Sequence, residues 1–252
     1  MCIRDRVDIP TGSVLKHGIF GAGTYAVFKH SPENTSTTDE NNFLGNAVAL
    51  RLNFGLFDRI EVGLKHLWNE DGSELSTEQT ASLKIQLLKE QDVGVIPSVA
   101  IGVEKLLSRN SEGKEKENRS AFLAVSKTFN LPRIHQFYGH IGIGTQRFAL
   151  GESPIGPFVG LSKEFQPAFA RGDITMNLEF DGAGVNAGIR YITSSGLQVA
   201  LGAETLNRPD ELRYLTAVSW TNERMLEQID ETRRLIKQLA IGAKRAVSES
   251  SE

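Results

Sequence analysis

AVALRLNFGLFDRIEVGLKHLW, Ala47 to Trp68, decides the fold class of this 252-residue chain. Val48, Leu50, Leu52, Phe54 and Leu56 fall on one side of a period of two, and Ala47, Ala49, Arg51 and Asn53 on the other. After the short GLFD stretch the alternation resumes, with Ile60, Val62, Leu64 and Trp68 against Glu61, Gly63 and Lys65. Successive side chains alternate across a strand, so this reads as two strands joined by a tight turn, each apolar on one face only.

The same period extends outward from Gly18 to about Asn222. ITMNLEF sets Ile174, Met176, Leu178 and Phe180 against Thr175, Asn177 and Glu179. VNAGIRY and LQVALGAE place Asn186, Gly188, Arg190, Gln198, Gly202 and Glu204 on the polar face. About twelve such segments occur, most near ten residues long. Globular strands centre on about 5–6 residues, whereas a tilted strand crossing a bilayer needs about 9–11. The first connections alternate between long polar loops (30–42, 69–77 and 108–120) and short turns (55–58 and 90–94), the rim asymmetry of an outer-membrane barrel. Later turns, 181–184 and 193–196, are both tight.

The polar face carries Arg51, Glu61, Lys65, Lys84, Glu104, Glu179, Arg190 and Glu204. A charge facing lipid at midplane costs roughly 2–4 kcal/mol, so these are expected to line a lumen, either as a selectivity lining or as mutual salt bridges. Phe28, Trp68, Phe129, Phe148, Phe165, Tyr191, Tyr214 and Trp220 gather near strand ends and are expected in interfacial girdles. The expected fold is all-β: an antiparallel up-and-down transmembrane β-barrel of about 12 strands over residues 18–222, followed by a C-terminal α-helix. A soluble antiparallel barrel or sandwich with the apolar stripe inward, binding an apolar ligand, is the alternative.

Composition narrows the function. The chain is 40% hydrophobic and 23% charged with a net charge of −3, which argues against an electrostatic nucleic-acid binder. No run of about 18 apolar residues is present to form a transmembrane helix. His17, His30, His66, His135 and His140 lack the spacings of a metal site. No serine–histidine pair suggests a barrel-wall lipase, and Gly142 and Gly144 in IGIGTQRF lack the third glycine and helix of a phosphate cradle. No enzyme activity, metal or cofactor is expected. Asn34 and Asn118 match the glycosylation sequon, a pattern common by chance in polar loops.

MCIRDR, residues 1–6, translates back to the end of a transposon used in sequencing-library preparation and is read as an artefact. With it goes Cys2, the one cysteine, and the true N-terminus is then expected to be missing together with any signal peptide. Residues 7–17 form a lead-in segment to the barrel.

The lead-in IPTGSVLKHGIFGAGTY, the hairpin LNFGLFDRIEVGLKH and the stretch LEFDGAGVNAGIRYITSSGLQVALGAE resemble outer-membrane β-barrel proteins of the YjbH-like type, over most of Ile9 to Trp220. That resemblance implies the outer membrane of a Gram-negative bacterium and a role near exopolysaccharide and its export machinery. It brings no catalytic residues.

After Trp220 the period changes. Met225, Ile229, Thr232, Ile236, Leu239, Ala243 and Ala246 recur at alternating steps of four and three, a heptad seam on a periplasmic amphipathic helix over 223–247, with 248–252 as a disordered tail. Thr221 or Asn222 is available as N-cap, and Asp230 to Arg234 as an i,i+4 pair. Met225, Ile229, Ile236 and Leu239 are the candidate contacts to another copy or a periplasmic partner; the simpler expectation folds the helix under its own barrel. Three functions remain open: a barrel for exopolysaccharide secretion or passive transport of small polar solutes, a structural or assembly barrel with a filled lumen, and the soluble β-barrel binding an apolar ligand.

Overall fold

A computed structural model of the chain describes residues 9–29, 47–71, 74–90, 95–110, 119–131, 135–167, 171–182 and 184–249. Twelve strands follow in order: β1 (Phe20–Lys29), β2 (Ala47–Leu56), β3 (Ile60–Asp71), β4 (Glu74–Leu88), β5 (Ser98–Asn110), β6 (Ser120–Leu131), β7 (His135–Leu150), β8 (Ser153–Phe165), β9 (Gly172–Phe180), β10 (Val185–Thr193), β11 (Leu197–Glu204) and β12 (Arg213–Thr221). Each pairs antiparallel with its chain neighbours, and β1 pairs with β12 from Gly21↔Thr221 to Lys29↔Arg213. The sheet is therefore a closed barrel with no free edge. Helix α1 (Glu223–Glu249) follows, running into the first two residues of the segment read as a tail.

The alternation sorts side chains as the periodicity predicts, with the apolar set outward. Ile141 is 60% exposed and Leu201 55%, whereas inward-facing Asn53 and Glu179 are 1% and 2% exposed. Leu50, Leu64, Leu178 and Val199 share the outer face. Thr80, Gln86, Ser126, Ser162 and Asn177 share the inner one. This reverses a soluble barrel, so the alternative with an inward apolar stripe does not hold.

Both ends of the barrel chain meet at one rim. The Asn222 side chain accepts from Phe20 N–H at 2.9 Å and donates to the Gly18 carbonyl at 3.0 Å. At that rim stand Phe129, Phe165, Tyr191 and Trp220; Phe28 and Tyr214 are register partners at the opposite one. Phe148 is not in a girdle. It shares strand parity with inward Gly142 and Gly144, and its ring lies inside, where a Cβ on Gly144 would collide with it.

The β2–β3 turn is tight because Phe57 (φ 53°) and Asp58 (φ 56°) both adopt left-handed backbone, the geometry of a two-residue hairpin loop. Neither is glycine, so local strain is held by neighbours: Asp58 accepts from His17 N–H at 2.7 Å, and the His17 and Phe57 rings stack. The long loop expected over 69–77 is instead mostly hairpin, with Asp71 in register with Glu74, because the ladder continues past the barrel wall. Most of the loops at 30–42, 90–94 and 108–120, both sequons, His30 and residues 1–6 lie outside the described residues.

Candidate functional site: a strap through the lumen

The inner wall gathers charge unevenly. Arg51 Nε donates to Asn53 Oδ1 at 2.8 Å, and Asn53 Nδ2 to Glu61 Oε1 at 2.7 Å. Lys84 Nζ lies 3.2 Å from Glu61 Oε2, and Arg147 Nε 3.1 Å from Glu104 Oε2. Pro10, Arg51, Glu61, Lys84, Glu104 and Phe122 surround a cavity of only about 30 Å³, so four of the eight predicted lumen residues meet in one knot. Lys65 is Arg51's register partner on β3. Glu179 sits on the far wall, Arg190 lines a chamber near the helix, and Glu204 lies towards the opposite rim beside Arg213.

What joins these walls is the lead-in segment, which runs inside the barrel. Ile9, Val14, Leu15 and Ile19 are buried. Ile9 N–H donates to Glu179 Oε2 at 3.2 Å and Leu15 N–H to Glu61 Oε2 at 3.2 Å. Between them Gly12 N–H donates to Ser126 Oγ at 2.7 Å, while its carbonyl accepts from Gln86 Nε2 at 3.0 Å. A Cβ on Gly12 would strike the Ser98 carbonyl oxygen and come within 3.0 Å of Ser126 N, so only glycine lets the strap lie this close to the wall. Backbone donors removed from bulk water need partners, and the lumen's polar side chains supply them.

An apolar plug accompanies the strap. Ile9 packs with Phe122, Ala124, Phe148 and Phe158 in one buried cluster. The rings are seated on glycines of neighbouring strands: Phe158 opposite Gly142, and Phe122 between Gly102 and Gly144. Inward glycines thus relieve crowding, and the crowding comes from phenylalanines the polar-face pattern did not single out.

Past the strap, towards the rim where both ends meet, a chamber of about 360 Å³ remains, reached by Ser126, His140, Arg190, Gln198 and Glu223. Ser126 Oγ and His140 Nδ1 are hydrogen-bonded at 2.6 Å, a pair spacing alone did not reveal. Since the hydroxyl oxygen also accepts the Gly12 N–H, this pair serves to anchor the strap. His66 faces outward, edge-on to Trp68 at 4.2 Å. Among the described residues no group of His, Cys, Asp and Glu could hold a metal ion.

Outside the strands, Glu90 ties the β4–β5 connection to β6. Burial pushes its carboxyl up, but the Thr128 N–H and hydroxyl and the Lys127 ammonium outweigh this and hold it below the ordinary range. Asp58 is likewise held low, chiefly by the His17 N–H.

Helix α1 does not fold under the barrel. Its start is fixed: Thr221 Oγ1 accepts from Glu223 N–H at 3.3 Å, Asn222 contributes its carbonyl to Leu226 N–H, and Arg224 pairs with Asp173. Beyond that, Met225, Ile229, Ile236 and Leu239 are exposed. Among the described residues the rim beside this seam is polar, carrying Asp173, Ser194 and Arg171. Asp230 meets Arg233 rather than Arg234.

Comparison with protein-family models and with curated proteins gives no match. Among solved structures, the KdgM porin is similar over 79% of this chain and 98% of its own, with 10% identity and a TM-score of 0.50. An outer membrane channel from Pseudomonas putida F1 is similar over 86% and 100%, with 11% identity and a TM-score of 0.48. A mutant porin of Rh. blastica is similar over 69% and 55%, with 12% identity and a TM-score of 0.30. The first of these likenesses shows a shared fold, a porin-like closed antiparallel barrel.

Proposed function

We propose that this chain is a non-enzymatic β-barrel of the Gram-negative outer membrane that passes small polar solutes passively, through a lumen the Ile9–Ile19 strap closes at rest. One observation carries the reading: a closed ladder with its apolar belt outward and its polar residues inward. Lipid accepts no unpaired backbone group, so closed barrels and helices are what span it, and only the outward belt suits hydrocarbon. The hairpins' resemblance to YjbH-like proteins supports a place beside exopolysaccharide and its export machinery. The strap supports passage that is occasional rather than continuous, because Ile9, Gly12 and Leu15 bridge opposite walls.

Planar-bilayer conductance tests this. The chain should be nearly silent, and the same chain without residues 7–17 should open in discrete steps. Lys65→Glu in the opened barrel should shift ion preference towards cations. Silence of both forms, with the barrel intact, supports the second reading, a structural or assembly barrel whose filled lumen is permanent; the buried Glu61–Lys84 knot is the observation that favours it.

A further inference from the structure

We propose that α1 docks antiparallel against α1 of a second copy of this chain. Its seam of Met225, Ile229, Thr232, Ile236 and Leu239 is uncovered along the helix, with Leu235 exposed at its flank, and a stripe at heptad spacing fits a partner helix. A lipid surface fits it poorly: α1 contains no aromatic residue, and its first ten residues are acidic.

The charges select the partner and its direction. Glu223, Glu227, Asp230 and Glu231 crowd residues 223–232 beside Arg224 alone. Arg233, Arg234, Lys237, Lys244 and Arg245 follow, with no acidic residue between Thr232 and Ser248. Two copies side by side in parallel set acid against acid and base against base; reversed, each acidic half faces a basic one, and the helix dipoles also oppose favourably. Pairing Ile229 with Leu239 of the second copy brings Thr232 opposite Ile236, keeping the seam in register.

Membrane geometry permits this arrangement, and here the inference rests on the outer-membrane reading. Two barrels inserted the same way are related by an axis along the membrane normal. Such an axis makes upright helices parallel and helices lying along the membrane antiparallel. Arg224 pairs with Asp173 and Gln228 Nε2 reaches the Ser194 carbonyl at 3.4 Å, so the first two turns run along the rim. A seam of about three heptads is weak alone, but confinement to one membrane raises the effective concentration.

The test is disulfide trapping in isolated outer membranes, with Cys2→Ser as background. Ile229→Cys and Leu239→Cys are made singly and together and oxidised with copper phenanthroline; heat-shifted gel mobility reports the barrel separately. The double variant should give a dimer, and each single variant at least tenfold less. Dimers from the single variants would overturn the antiparallel arrangement. Monomers throughout, with an intact barrel, would overturn self-docking; quenching of a probe at position 239 by brominated lipid would then assign the seam to the membrane. Loss of the heat-shifted form would instead count against the barrel reading.

Discussion

Gly12 donates its backbone N–H to the Ser126 hydroxyl at 2.7 Å from inside the barrel, joining residues 114 positions apart in the chain. This bond makes the lumen's contents part of the fold, since Ser126 is also bonded to His140 on the adjacent strand. A side chain at position 12 would need to displace the Ser98 carbonyl. Overpacking of this kind costs about 1–3 kcal/mol, which corresponds to a roughly 5- to 150-fold shift in strap occupancy. Gly12→Val should therefore leave the heat-shifted barrel intact while raising both open-channel probability in bilayers and proteolysis of the lead-in segment.

Glu61 is the acceptor on which the strap and the wall converge, taking Leu15 N–H, Asn53 Nδ2 and Lys84 Nζ. Removing one member of a buried pair typically costs about 3–5 kcal/mol, because the other charge stays buried. Glu61→Ala should lower the unfolding free energy read from urea titration by that order. Adding Lys84→Ala should recover part of the loss, which a double-mutant cycle reads directly.

Leu201 lies in the middle of β11 with its side chain outward, between Ile189 and Thr216 in register. Leu201→Arg should impair insertion by roughly 2–4 kcal/mol, the cost of a cation at the bilayer midplane. Ala200→Ser, on the opposite face, should fold like the parent. Membrane-fraction yield and heat-shifted mobility check both.

Glu90 provides a pH signature outside the membrane. Its carboxyl is held below the ordinary value of 4.5, so its contacts with Thr128 and Lys127 add stability above that value. The contribution is lost as pH falls through the lower folded value. Urea midpoints should therefore decline more steeply below pH 4.5 in the parent than in Glu90→Gln, with the two curves parallel at neutral pH.

The barrel was legible because a period of two reports faces directly, and Val48 to Leu56 needs no tertiary information to be sorted. Lengths and sign of exposure followed from the same residues: charges such as Glu179 and Arg190 had no place in lipid. The strap was not legible. IPTGSVLKH has no period, and its path depends on partners such as Ser126 and Glu179 far along the chain. Its one trace in sequence is the set Phe122, Phe148 and Phe158 on otherwise small or polar faces, and that trace becomes informative only once register sets them against Gly102, Gly142 and Gly144. Helix α1 was legible as a period but not as a position, since docking depends on whether a complementary apolar face exists nearby.

The most direct measurement is the gel mobility of residues 7–252, exported with a signal peptide and purified from outer membranes in detergent, before and after boiling. A compact form that shifts on heating is the predicted result, as expected of a closed barrel in lipid. Recovery in the soluble fraction with a single mobility would contradict the membrane barrel, and with it the passage through its lumen.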